Sequence, residues 1–315
     1  MPNHVLGCTE PLVAMVMASY NGERFLEHQL ASFEAQLHQR WCLYVSDDGS
    51  TDATRRTVSK FGERVQHRNE VRLVDGPRKG FVSNFLTAIC QAPNADYYAI
   101  ADQDDIWGEK KLSRALNFLV DIASNRPALY CARTETADIE GRPVGLSPPF
   151  KRRPCFANAL VQSIAGGNTM VMNRTAQELL RQAGPQLDVV SHDWWIYLIV
   201  SGAGGEVIYD LQPNILYRQH AANLVGANTG LLARSSRLNL LLKGRFRSWM
   251  DRNLGALDQV RHLLTPENRA LLDALINLRK RSSFGRVVGI HRLGIERQTW
   301  AGNASLTLAA ALGKF

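Results

Sequence analysis

With 315 residues, 45% of them apolar, the chain is long enough to bury a full core, and its composition excludes a disordered or fibrous protein. The net charge of +8 excludes no partner class, but Arg and Lys gather after about Arg218, which suits an anionic substrate, an anionic lipid surface or nucleic acid. Five scattered cysteines without a C-x-x-C pair exclude a zinc ribbon and read as buried thiols of a reducing compartment, and the lack of a signal-like leader or a run of about 18 apolar residues makes a cytoplasmic protein the expectation.

Leu12 to Ala18 is apolar throughout, as a parallel strand covered on both faces must be. It stops at Ser19-Tyr20-Asn21-Gly22, after which Phe25, Leu26, Gln29, Leu30 and Phe33 recur at helical spacing. Trp41 to Ser46 predicts a second strand ending in Asp47-Asp48-Gly49-Ser50-Thr51-Asp52, followed by a helix over Thr54 to Phe61. Val71 to Val74 predicts a third strand, Phe81 to Cys90 a helix, Tyr97 to Ala101 a fourth strand and Lys110 to Ile122 another helix. Four strand and helix alternations predict an open, mostly parallel α/β sheet wrapped by helices, and in such sheets ligands bind beyond the carboxyl ends of the strands.

The fourth strand ends in Asp102-Gln103-Asp104-Asp105-Ile106-Trp107. Three carboxylates in four residues repel unless a cation or strong donors compensate. An all-oxygen site suits Mg²⁺ or Mn²⁺, which takes one or two protein carboxylates and leaves the rest of its shell to water and phosphates. The tip is therefore a candidate holder of a metal-bound diphosphate; the competing reading is a solvated loop of capping aspartates.

Beyond Ala128 the pattern changes. Leu129 to Cys131 predicts a strand, Asp138 to Pro143 a hairpin or loop, and Ser163 to Met172 a glycine-bent passage into a strand. Ser191-His192-Asp193-Trp194-Trp195 opens an apolar helix through Val200, where Ser191 or Asp193 also serves as a possible cap. Gly205 to Tyr209 and Ile215 to Tyr217 predict short strands, with Arg218-Gln219-His220 directly after. The remaining residues read as amphipathic helices over Leu231 to Lys243, Trp249 to Leu264 and Glu267 to Arg281, with a less regular tail.

Ala18-Ser19-Tyr20-Asn21, Ser46 to Asp52, Asp102 to Trp107 and His192-Asp193-Trp194-Trp195, in this order, resemble the family 2 glycosyltransferases, inverting enzymes of the Rossmann-like GT-A fold. The Asp-Gln-Asp-Asp-Ile-Trp form, with His-Asp-Trp-Trp and Tyr-Arg-Gln-His, is most similar to bacterial rhamnosyltransferase-type members. The resemblance covers about Leu12 to Gly226. It implies a catalytic domain over 1–226, with a nucleotide half at about 10–125 and an acceptor half at about 126–226, and a basic helical C-terminal extension over 227–315. It also implies a nucleotide-sugar donor, with dTDP-L-rhamnose first, Mg²⁺ or Mn²⁺, and a saccharide or lipid-diphosphate-linked acceptor of a growing surface polysaccharide such as O-antigen.

Carried over to this sequence, the resemblance puts Ser19, Tyr20, Asn21, Asp48 and Asp102 on the donor nucleotide, with Asp48 accepting the pyrimidine N–H. Asp104 or Asp105, with His220, would ligate the metal, and Arg218 would meet the diphosphate. Gly167, Asn168, His192, Trp194 and Trp195 would form the acceptor or sugar side, and Asp193 would be the general base. For His220 a hydrogen-bonded structural histidine is the competing role, and one of the two indoles is expected to do no more than pack. The basic helices are expected either to lie on the inner membrane surface or to pack on the catalytic domain or another subunit. A homo-oligomer is compatible with the sequence, and nucleic acid is not an expected partner. Two other classes compete. A sugar-nucleotide-forming nucleotidyltransferase would need a glycine-rich, basic triphosphate loop near the first strand, and a non-catalytic nucleic-acid or membrane binder would leave the aspartates without a task.

Overall fold

The computed structural model describes residues 10–219 and 244–315. Its main sheet has seven strands in the order β10-β6-β9-β4-β1-β2-β3, formed by β1 (Val13–Ser19), β2 (Trp41–Asp47), β3 (Val71–Asp75), β4 (Tyr97–Ala101), β6 (Ala128–Ala132), β9 (Val171–Asn173) and β10 (Glu206–Asp210). All run parallel except β9, which lies antiparallel between β4 and β6. Every residue of β1 is buried, because alternate side chains feed two cores. Val13, Met15 and Met17 pack with Leu26, Leu30 and Phe33 of α1 (Glu23–Glu34), Val58 and Phe61 of α2 (Thr54–Val65) and Leu112 and Leu116 of α4 (Lys111–Leu119). Ala14, Val16 and Ala18 pack with Phe85 and Ile89 of α3 (Phe81–Gln91) and with the helices of the second half. Period-two burial on both faces is the physical basis of the uniformly apolar run.

A second sheet, in the order β5-β11-β7-β8, combines β5 (Ile106–Trp107), β11 (Ile215–Arg218), β7 (Glu135–Ala137) and β8 (Pro143–Leu146). The expected hairpin is the β7–β8 turn, in which Asp138 accepts backbone bonds from Glu140 and Arg142 and Gly141 adopts φ 86°. This small sheet ties the loop after β4 to β11, far along the chain.

The second half adds α5 (Phe156–Ala159), α6 (Arg174–Ala183) and α7 (His192–Gly202). After residue 244 come α8 (Arg245–Gln259), α9 (Pro266–Leu278), α10 (Ser283–Arg292) and α11 (Trp300–Ala311). Thr265, Ser282 and Thr299 cap the last three through side-chain oxygens. The tail left irregular by the sequence is thus two capped helices, and α4 stops at Leu119 rather than Ile122. The expected helix from Leu231 to Lys243 lies outside the described residues.

The C-terminal helices are not detached. Phe246, Met250, Leu257, Leu272, Leu275 and Leu306 join the same apolar cluster as Trp194 and Leu198 of α7. Asn253 accepts from Val190 N at 3.1 Å, and Asn268 donates to the carbonyls of Ser201 and Gly202 at the end of α7. Gln298 exchanges bonds with the backbone of Arg152. No helix among the described residues is long and apolar enough to cross a membrane. The four cysteines among the described residues are free, and Cys155 is exposed where a buried thiol was expected.

Candidate active site

The ends of β1, β2 and β4 are stitched into one wall. Asp48 N donates to Ser19 O at 2.8 Å, and the Gln103 side chain pairs with both backbone groups of Tyr20, accepting from N at 2.9 Å and donating to O at 3.0 Å. Asn21, at φ 46°, donates from its backbone to Ser50 and accepts from Thr51 N. Its side chain therefore braces the wall, and Asn is among the residues that tolerate this backbone region. Tyr20 projects, 58% exposed.

Ser19 was expected on the nucleotide but is buried, with its hydroxyl given to Asp47 at 2.9 Å. The buried Asp47, missed by the sequence reading, also accepts from Ser50 N, Ser50 Oγ and Arg55. Burial alone would raise its pKa, but these donors outweigh it and hold the carboxyl below its ordinary value. Asp48 faces the other way and accepts Arg78 N at 2.6 Å and Gly80 N at 2.8 Å, one on each oxygen. Arg78 and Lys79 thus belong to a loop folded over Asp48, and each carboxylate oxygen keeps further acceptor capacity for a base N–H. Strand alternation was the signal that could have separated the two adjacent aspartates.

In the acidic loop the three carboxylates diverge. Asp105 is fully buried, accepting Asn168 Nδ2 at 2.5 Å and Arg218 N at 3.3 Å. Burial and the neighbouring Asp104 push its pKa up to about 7 despite those bonds. Asp102 and Asp104 stand half-buried at the rim. Asp102 is driven well above the carboxylate range by burial, then by the charges of Asp105, Asp104 and Asp193. Asp193, at the start of α7, is thus within electrostatic reach of Asp102. Lys111 lies beneath, buried with Nζ 3.0 Å from the Trp107 ring centroid and without a hydrogen-bond partner among the described residues. Burial holds its ammonium far below its ordinary pKa, against the pull of Asp105 and Asp102. The run Gly108-Glu109-Lys110-Lys111 reads as a solvated helix start, so the sequence concealed it.

Asp193 occupies the first turn of α7. Ser191 Oγ and Trp194 N both donate to its Oδ1, which leaves Oδ2 without a donor among the described residues. Its neighbours correct the expected sugar platform. Trp194 and Trp195 are 5% and 1% exposed, and Trp194 gives Nε1 to Ala159 O and packs edge-on against Trp249 of α8. Neither indole offers a ring face to a sugar, because the apolar residues of α7 are buried on all sides. His192 is also buried, stacked 3.9 Å from the Phe85 ring with neither ring nitrogen partnered among the described residues, and burial lowers its pKa to about 4. It presses on Gly167, where an added Cβ would lie 2.2 Å from Nε2. Gly167 and Asn168, expected beside the acceptor, instead make room for His192 and hold Asp105.

Arg218, expected at the diphosphate, is 2% exposed. Its guanidinium donates to Asp104 O at 3.1 Å and Ile139 O at 2.5 Å and lies 4.9 Å from the Phe25 ring, so it clamps the acidic loop from behind. His220 lies outside the described residues. Among the described residues no three His, Cys, Asp or Glu side chains form a ready-made metal cage. The donor set nevertheless fits Mg²⁺ or Mn²⁺, which needs only one or two hard carboxylates, and the repulsion on Asp102 is what a cation would relieve.

Residues 15–179 match the family described as Glycosyl transferase family 2. The dTDP-rhamnosyl transferase RfbG of Shigella flexneri is 28% identical over 249 residues, spanning 76% of this chain and 84% of that protein. Among solved structures, the mannosyltransferase PcManGT from Pyrobaculum calidifontis, in complex with GDP-Man and Mn²⁺, matches with a TM-score of 0.51 at 18% identity, over 97% of this chain and 87% of that one. TarS 1–349 of S. aureus, in complex with UDP-GlcNAc, matches with a TM-score of 0.52 at 13% identity, over 96% and 90%. These are likenesses of fold, and the fold is the expected GT-A type with C-terminal helices.

Proposed function

Because the chain belongs to glycosyl transferase family 2, we propose that it moves L-rhamnose from dTDP-L-rhamnose, with inversion, onto a hydroxyl of a lipid-linked or growing surface saccharide. The observation that carries this reading is Asp193, held in the first turn of α7 with one carboxylate oxygen lacking a donor among the described residues. In the proposed step Asp193 takes the proton of the acceptor hydroxyl as that oxygen bonds to the anomeric carbon. The bond from that carbon to the diphosphate breaks, and its electron pair leaves on dTDP. A metal held by Asp104 and Asp102 would neutralise charge on the departing diphosphate. Tyr20 and Asp48 would receive the base, and Asp105 supports the loop through Asn168 and Arg218.

We take 1–226 as the catalytic unit and 227–315 as the extension, acting in the cytoplasm at the inner face of a membrane. The family match argues against the nucleotidyltransferase and the non-catalytic binder. The test is thermal stabilisation across a panel of sugar nucleotides with Mg²⁺ or Mn²⁺. The expected result is the largest shift with dTDP-rhamnose, reduced by EDTA; a larger shift with a UDP- or GDP-sugar would replace the proposed donor.

A further inference from the structure

Helix α11 is apolar on two sides. Leu306, Ala309 and Ala310 are buried in the shared core, whereas Trp300, Ala304, Leu308 and Leu312 form an i, i+4, i+8, i+12 ridge turned to solvent. On it Trp300 is 84%, Leu308 41% and Leu312 47% exposed. At ~1.5 Å per residue the ridge runs about 18 Å. An outward apolar ridge on a helix whose opposite face already lies in the core suits a second apolar medium. Helix α10 lies antiparallel beside it. Arg286, in the first turn of α10, donates to the carbonyls of Ala310 at 2.6 Å and Ala311 at 3.1 Å. Phe284, 81% exposed, therefore stands at the same end of the pair as Leu312.

The surroundings are cationic. From Arg279 to Phe315 there are seven Arg and Lys residues and one carboxylate, Glu296, which is paired with Arg152. Arg279, Arg286 and Arg297 are turned inward onto backbone carbonyls, while Lys280, Arg281 and Arg292 are exposed around α10. A second copy docked through this ridge would set like charge against like, since a two-fold contact places one patch on itself. Nucleic acid would match the charge but not an aliphatic ridge. An anionic bilayer surface matches both.

We infer that the outer ridge of α11, with Phe284 and the cations around α10, docks the protein on an anionic lipid surface. The indole and leucines lie at the headgroup and acyl boundary, and Lys280, Arg281 and Arg292 meet lipid phosphates. This deepens the lipid-linked-acceptor reading, but vesicle binding is measured without donor or acceptor, so the two can fail separately.

The test is flotation of the full chain with phosphatidylcholine vesicles, with and without phosphatidylglycerol. Binding is expected only with phosphatidylglycerol and should fall with added salt. Arg281→Gln with Arg292→Gln should weaken it about fivefold per cation removed. Trp300→Ser with Leu308→Ser should weaken it tenfold or more while leaving stabilisation by dTDP-rhamnose unchanged, which also shows that this variant is folded. Absence of wild-type flotation on anionic vesicles overturns the inference. So does a dimer, seen by light scattering, that Trp300→Ser with Leu308→Ser converts to monomer, because the ridge would then be covered by a second copy.

Discussion

The two walls of the crevice are held in place by different means. The wall proposed for the donor consists of neighbouring strand ends joined by short hydrogen bonds, Tyr20 to Gln103, Asp48 to the loop at Arg78 and Gly80, and Ser19 to Asp47. The wall proposed for the acceptor is one carboxylate at the start of α7, whose remaining length is core and whose Trp194 rests on Trp249 of a C-terminal helix. Damage to the first should stay local. Changes behind the second should travel along α7, on which the C-terminal helices pack.

The strongest way to probe this contrast is Arg218→Met. It removes the buried clamp behind the acidic loop and strands the carbonyls of Asp104 and Ile139. With ~1–3 kcal/mol for each unsatisfied buried acceptor, the expected loss is about 3 kcal/mol in urea unfolding, together with loss of stabilisation by donor and metal. A loss below about 1 kcal/mol would mean that Arg218 does not hold the loop.

His192 gives a pH-dependent handle on the acceptor wall. Burial lowers its folded pKa to about 4, so between about pH 6.5 and 4 the unfolded chain binds a proton that the folded chain refuses. The stability that this group contributes is present above pH 6.5 and is lost as pH falls, by about 2 kcal/mol at pH 5. His192→Leu should remove that part of the acid slope in urea titrations without lowering stability at pH 8, because ring nitrogens with no partner among the described residues already carry their desolvation cost. An unchanged slope would contradict the assignment.

Asp104→Asn belongs to the donor wall. It should weaken Mn²⁺-dependent stabilisation by dTDP-rhamnose about tenfold, roughly 1.4 kcal/mol, with little effect on the ligand-free melting temperature. The smallest expected effect is that of Trp194→Phe, which gives up the bond to Ala159 O and should cost about 1 kcal/mol. Its signature is a lower kcat with donor KM unchanged; a change in donor KM alone would erase the distinction between the walls.

The same contrast governs what could be read from the chain. The parallel sheet was legible because β1, β2 and β4 are buried on both faces and so are apolar over most of their length, and the aspartate clusters lie at strand ends, as that architecture requires. The second sheet was not, since β5 has two residues and finds its partner in β11 only through the tertiary fold. Local pattern carries no information about such pairings. Arg218 and Trp194 were misplaced for a related reason. A charged or amphipathic side chain next to a site motif is drawn toward the site when only its neighbours in sequence are visible. Here Phe25 and Trp249, distant in the chain, draw these side chains away from it. The three C-terminal helix starts did carry readable caps, Thr265-Pro266, Ser282 and Thr299, but their docking faces depend on α7.

The account turns on Asp193 acting on the acceptor while the opposite wall holds the donor. Asp193→Asn, assayed for rhamnosyl transfer and for stabilisation by dTDP-rhamnose with Mn²⁺, separates the two. Transfer should fall by about 10²–10⁴-fold, the range for loss of a positioned base, with the donor-induced shift retained. Transfer at the wild-type rate would contradict the central assignment.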